Sequence, residues 1–515
     1  MNWTSVSCAV VTTLSLMTAV HAAPKESLVL AIGGESDNGF DPLTGWGTYG
    51  NPLFQSTLLR RGINLETIPD LATAWSLSDD RKIWTVKLRE DVQFSDGTPV
   101  TAEDIVFTFN NAKTSANSLD LAVLEKVEAV DDHTVRFALT KPWITFVEAF
   151  YTLGIVPASS YGSDYGRKPI GSGPYKLVSW NEGEQLIVER NDAYYGEKSP
   201  FKQITFLFTG ADSGLVAANA GAVDLVAVPS QLADAVPNGF RAVPVQTVDN
   251  RGISLPFIKP QTIDGRKVGN AVTSDPAIRK AINMGIDRQL VVDVAVQGHG
   301  TPAYGPADGL PWAGKADRVD FDLDGAKALL DEAGWIVGSD GIRSKDGVRA
   351  AFALYYPASD ASRQALAETS AELLLPLGIE ATPRGGSWDA IGQVMHSEPI
   401  LFGFGSHSPY EVYSLFAGKV AGIEYMNPTY YSNPKADEFF EKAQAAESIE
   451  ASMPFWAEAA DYYGNKGDNS WAWLINFDHV YLVNNCLDMG KTQIEPHGHG
   501  WPITTTIANW RWTCN

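Results

Sequence analysis

Hydrophobic positions along the chain switch between a period of two and a period near 3.6. Trp84, Val86 and Leu88 alternate with Thr85, Lys87 and Arg89, the spacing of a strand with one buried face. Ser27 to Ile32, Thr134 to Leu139 and Leu186 to Arg190 read as further strands. Helices are predicted where a cap and a helical stripe coincide. After Asp96-Gly97, which has turn chemistry, Thr101-Ala102-Glu103-Asp104 places a hydroxyl and early carboxylates where a helix start leaves N–H groups unpaired. Ser274-Asp275-Pro276 starts a second helix with an apolar stripe of Ile278, Ala281, Ile282 and Ile286. Asp324 is the expected cap of a third, whose stripe is Ala326, Leu329, Leu330 and Ala333 and which Gly334 ends. Strands thus alternate with helices through most of the chain, without internal repeats.

With 515 residues, 44% of them hydrophobic, the chain is long enough for more than one domain. Its formal charge of −22 would repel a phosphate backbone, so nucleic acid is excluded as a partner. The apolar run Cys8 to Val20 is too short and too rich in Ser and Thr to span a bilayer. Followed by Val20-His21-Ala22, it reads as an export signal over residues 1–22 cleaved after Ala22. No Lys or Arg precedes the run, and Cys8 lacks the surroundings of a lipid-anchor site. Only Cys486 and Cys514 survive cleavage. In an oxidising compartment they either pair or remain as two thiols, and spacing alone does not decide between the two.

Six ordered segments carry a resemblance. Leu71-Ala72 with Trp75, Phe94 to Asp104, Pro169 to Tyr175 (PIGSGPY), Asn191 to Gly196, Ala277 to Ile286 and Gly325 to Trp335 are similar to the motifs of family 5 extracellular solute-binding proteins, the peptide and nickel type that serves ABC importers. The likeness covers most of the chain after the leader. It implies an α/β fold like that of periplasmic binding proteins: two α/β lobes around a ligand cleft, with a smaller insert subdomain in the first lobe. Lobe I is expected over 23–52, 171–253 and 478–515, its insert over 53–170, and lobe II over 254–477. The chain crossings are then near Ile253 to Ile258 and Trp471 to Asp478.

Candidate chemistry is sparse. No G-x-S-x-G elbow, phosphate loop or H-E-x-x-H helix occurs. Pro496-His497-Gly498-His499-Gly500 offers His497 and His499 two residues apart on glycine-rich backbone, which suits Ni²⁺ or a plain surface turn equally. The resemblance implies that Phe404 to Tyr413 corresponds to a stretch in which many dipeptide-binding relatives carry an Asp just before the proline, an anchor for the peptide ammonium. Here Ser408 stands there, and a hydroxyl cannot neutralise a buried ammonium. Glu411 is the candidate substitute, while His407 is a further imidazole or a cleft-wall residue. Trp46, Tyr49, Trp388, Tyr410 and Tyr413 are candidate aromatic walls, and Arg384 a bidentate partner for a ligand carboxylate.

The expected function is a non-enzymatic receptor that captures a short peptide-like solute or a nickel chelate in the periplasm and delivers it to an ABC permease in the inner membrane. No cofactor is expected, nickel entering only as part of the transported ligand, and the protein is expected to be a monomer. The competing class is a secreted hydrolase of peptides or glycosides, since any two of the 61 acidic residues can meet in space.

Overall fold

The computed structural model describes residues 25–50, 52–115, 119–314, 318–498 and 500–514. The expected export signal and its cleavage site lie outside the described residues, as does His499. An eleven-stranded mixed sheet runs through both halves of the molecule. Its spine is a pair of long antiparallel strands, Phe240–Ser254 and Trp471–Asn484. On one side the sheet continues through Leu225–Val228, Ser27–Ala31, Gln203–Leu207, Gln185–Arg190 and Tyr175–Asn181. On the other it continues through Ile400–Phe404, Ala351–Pro357 and Glu380–Gly386. Each half has its own core. Leu30, Phe206 and Trp510 are buried in the first, and Ile282, Leu354 and Trp335 in the second.

The ladder between the two long strands is broken between Gln246 and Asn250. There the chain steps outward, and Glu495 fills the gap: Val248 N donates to Glu495 O at 2.8 Å and Glu495 N donates to Gln246 O at 3.0 Å. An irregularity of this kind redirects side chains and is a place where two rigid bodies can pivot. It falls a few residues before the expected crossing at Ile253 to Ile258.

The insert is a four-stranded antiparallel sheet, Ala72–Leu77, Ile83–Leu88, Thr134–Leu139 and Leu124–Asp131, covered by the helix Ala102–Ala112. Trp84, Val86 and Leu88 point into its core, as their alternation predicts. Thr101 N donates to Asp104 Oδ2 at 2.8 Å, which closes a capping box at the expected helix start. Asp275 caps the helix Pro276–Gly285 as expected, accepting from Ala277 N at 2.9 Å. One cap differs: Asp322, not Asp324, accepts from Gly325 N at 2.8 Å and starts the helix Leu323–Glu332. Asp324 lies inside its first turn.

The insert also touches the second lobe. Thr145 Oγ1 donates to Gln444 Oε1 at 2.8 Å, and Trp143 meets Tyr413 edge to face at 5.1 Å. Its apolar interior is continuous with that of the helices Pro434–Gln444 and Ile449–Tyr463. Cys486 and Cys514 form a disulfide, tying the C-terminal segment to the end of the long strand Trp471–Asn484. Among the described residues no helix is long and apolar enough to cross a membrane.

Candidate functional site

A cavity of about 1420 Å³ lies between the lobes, beside the break in the long strands. Because Thr247 and Val248 leave the ladder there, Asp249 and Arg251 both line the cavity while remaining buried in the protein. Asp249 is the hub of a polar network. It pairs with Arg251 through a short contact, accepts from His497 Nδ1 at 2.6 Å and lies 3.2 Å from His479 Nε2. The other nitrogen of His479 donates to Glu495 Oε2 at 2.6 Å, and the Tyr481 hydroxyl donates to the same oxygen at 2.9 Å.

These contacts settle the charges. Burial alone would raise the Asp249 carboxyl, but Arg251 and His497 hold it well below the ordinary carboxylate range. Burial alone would lower His479, yet hydrogen bonds to Asp249 and Glu495 overrule it and push its pKa up to about 9. His479 is therefore an imidazolium at neutral pH, donating from both ring nitrogens. His407 is the opposite case: burial, helped by the Arg61 charge, lowers it to about 3 and keeps it neutral. Its Nε2 is buried with no hydrogen-bond partner among the described residues. Burial lifts Glu411 to about 8, assisted by Asp249 and only partly opposed by the backbone of Gly405 and Ser406. Glu411 accepts from Gly405 N at 2.9 Å and is a neutral carboxylic acid near pH 7.

Five of the candidate ligand-binding residues line the cavity: Tyr49, Trp388, His407, Tyr410 and Glu411. His497 joins them, its ring edge-on to Tyr49 at 5.6 Å. Trp388 is 40% exposed at the cavity mouth and stacks on Phe402 at 6.1 Å. Three candidates sit elsewhere. Trp46 is buried against Phe40 and Trp501 and donates from its ring N–H to Pro52 O at 2.6 Å, so it is core. Tyr413 is likewise buried, stacked on Tyr410 and pressed against Trp143. Arg384 stands exposed on the outer strand Glu380–Gly386, away from the cavity, so it is not placed to grip a ligand there.

The guanidinium groups in the cavity wall are instead Arg251 and Arg363, with Arg60 and Arg61 toward the insert. Arg251 lies over the Phe477 ring at 4.6 Å and against Gly403, where an added Cβ would come within 2.4 Å of Arg251 Nη1. Arg363 begins the helix Ala361–Leu374, whose cap is Asp360, and its guanidinium sits 5.3 Å from the Trp388 ring. Arg61 pairs with Glu148 at 2.5 Å. Among the described residues no three His, Cys, Asp or Glu side chains converge as a preformed metal site.

Known proteins match this architecture closely. The model of bacterial extracellular solute-binding proteins, family 5, matches residues 66–417. Protein XP55 of Streptomyces lividans is 34% identical over 489 residues, covering 91% of this chain and 87% of that protein. Among solved structures, NikZ from Campylobacter jejuni in complex with Ni(L-His) aligns with a TM-score of 0.82 at 22% identity, over 95% of this chain and 100% of that one. The oligopeptide-binding protein AppA from Bacillus subtilis in complex with a nonapeptide aligns with a TM-score of 0.77 at 22% identity, over 96% and 100%. Two α/β lobes, a cleft at their junction and a sequence match across most of the chain lead to one assignment: the chain belongs to the bacterial extracellular solute-binding proteins of family 5, the solute-binding components of ABC importers.

Proposed function

We propose that this protein captures a peptide-like solute outside the cytoplasmic membrane and delivers it, unchanged, to an ABC permease. The observation that carries the reading is the cavity at the strand break, about 1420 Å³ and walled by side chains of both lobes and the insert. Drug-sized ligand pockets are roughly 300–1,000 Å³, so this one accommodates a solute of several residues together with bridging water. A ligand touching both lobes favours the closed arrangement over any open one, which couples capture to closure. The mature protein is read as an exported monomer, beginning at Ala23 after removal of the leader.

The test is native mass spectrometry of the protein purified without added ligand, followed by small-angle scattering with the solute it releases. The expected result is one intact solute per chain and a smaller radius of gyration when bound. Release of cleaved fragments of an added peptide would favour the hydrolase class, and an unchanged radius at saturation would remove closure from the account.

A nickel chelate is the second reading, favoured by His407: a neutral imidazole in the cavity wall with an unpaired Nε2 is a competent ligand for a borderline metal. His497 and His499 are the other candidates, although His497 Nδ1 is engaged by Asp249. Calorimetry of Ni²⁺ with free histidine is the check. Binding that survives His407→Ala and His497→Ala/His499→Ala without weakening would dismiss these imidazoles as metal ligands.

A further inference from the structure

The insert faces the rest of the chain on two sides, and the two are built differently. Toward lobe I it is tied by paired groups: the Tyr195 hydroxyl donates to Asp70 Oδ1 at 2.5 Å, the Tyr161 hydroxyl to Asp41 Oδ2 at 2.7 Å, and Gln493 Nε2 to Gly62 O at 2.6 Å. Toward lobe II it grips the end of one helix. Arg81 Nη1 donates to the carbonyl of Ala445, the C-cap of the helix Pro434–Gln444, where a helix leaves carbonyls unpaired and favours positive charge. Thr145 donates to Gln444 Oε1 twice, from its hydroxyl at 2.8 Å and from its backbone N at 3.3 Å. Lys141 lies 3.8 Å from Glu441 on the same helix, and Trp143 is buried edge-on to Tyr413.

Two details mark the second side as a contact that parts. Gln444 uses only its oxygen there. Its Nε2 is buried with no hydrogen-bond partner among the described residues, a donor that water satisfies once the surfaces separate. Arg81 occupies the turn between the strands Ala72–Leu77 and Ile83–Leu88 at a φ of 60°, a conformation that suits glycine and that other residues adopt at a cost. The turn uses its backbone, Arg81 N donating to Ser78 O at 2.8 Å, while the guanidinium serves lobe II. Strain of this kind gathers at clamps and switches.

We infer that Arg81, Trp143 and Thr145 form a clasp: the insert, carried by lobe I, docks on the end of the helix Pro434–Gln444 when the lobes close and must leave it before the cavity can open. Arg81, Trp143 and Gln444 do not line the cavity. The clasp therefore sets the fraction of closed molecules, and with it the apparent affinity, without selecting what is held.

The experiment uses the ligand-free full chain and compares the parent with Arg81→Gly, which removes the grip on the helix end and relieves the turn. Hydrogen exchange over 141–147 is expected to speed up about 10-fold, the low end for a hydrogen bond to a charged group because Arg81 is half-buried. Exchange in the strand Thr134–Leu139, inside the insert's own sheet, should stay as in the parent. Small-angle scattering of Arg81→Gly/Thr145→Val should give a larger radius of gyration than the parent. Unchanged exchange over 141–147 overturns the clasp. Equal acceleration in both segments also overturns it, since the insert is then merely destabilised. Faster exchange over 141–147 with an unchanged radius overturns it as well, because the loop then loosens while the lobes stay together. No solute enters these measurements, so their outcome is separate from that of the peptide-like reading.

Discussion

Replacing Glu411 by Gln tests whether the cavity holds a neutral acid. Glu411 is half-buried, faces the cavity, and has its pKa raised by burial from 4.5 to about 8. The folded state therefore binds a proton that the unfolded chain releases near pH 4.5. Its contribution to stability is complete below that pH and is lost progressively as pH rises to about 8, where the folded group also ionises. At about 1.4 kcal/mol per pH unit the full shift would be worth about 5 kcal/mol. The side chain faces an open cavity where water and Gly405 N ease ionisation, so we take about half, roughly 2–3 kcal/mol. Gln keeps the shape and the acceptor for Gly405 N but does not titrate. Urea unfolding of ligand-free parent and Glu411→Gln, run from pH 4.5 to 8.5, isolates Glu411 and its coupling to Asp249, because groups that do not interact with it cancel in the difference. Relative to the variant, the parent should lose roughly 2–3 kcal/mol across that range, with most of the change between pH 5 and 8. A difference flat to within about 0.5 kcal/mol, the scatter of an ordinary surface substitution, would refute the neutral-acid reading and restore Glu411 as an ammonium anchor.

Further measurements probe the rest of the scaffold. His479 has its pKa raised to about 9 by two carboxylates, so its stabilisation is full below about pH 6.5 and disappears as pH climbs through 9; His479→Gln should melt lower than the parent at pH 6 and converge with it above pH 9, and a constant offset would mean the ring is not charged. Replacing Cys486 by Ser opens a 28-residue link, for which chain entropy predicts a loss of about 3.5 kcal/mol; an unchanged denaturation midpoint would show that the C-terminal segment holds without it.

Much of the fold was legible because its signals are local. A two-residue alternation suffices for the strand around Val86, and Thr101 with Asp104 marks a helix start from four consecutive positions. The misplaced cap at Asp324 shows the limit of such signals. Two aspartates two residues apart can each serve, and the choice of Asp322 depends on the conformation of the preceding chain, where Asp322 N donates to Met284 O at 2.9 Å. The disulfide stayed open for a similar reason, since pairing requires that Leu487–Asp488 fold back on Arg511–Trp512, a contact between two-residue strands with no pattern of their own.

The site was less legible because its residues are assembled by an irregularity. Of the candidate aromatic walls, Tyr49 and Trp388 line the cavity, whereas the ring of Trp46 turns into the core to meet Pro52 O. Arg384 follows a regular strand and stays outside; Arg251 reaches the cavity because the ladder breaks at Gln246–Asn250, and no composition or period announces that break. Arg363 lies in a polar run at a helix start, where an arginine would ordinarily be solvated, yet it is buried, with its guanidinium beside the Trp388 ring. What distinguishes these two arginines is a buried Nε with no hydrogen-bond partner among the described residues, a property of packing rather than of residue type.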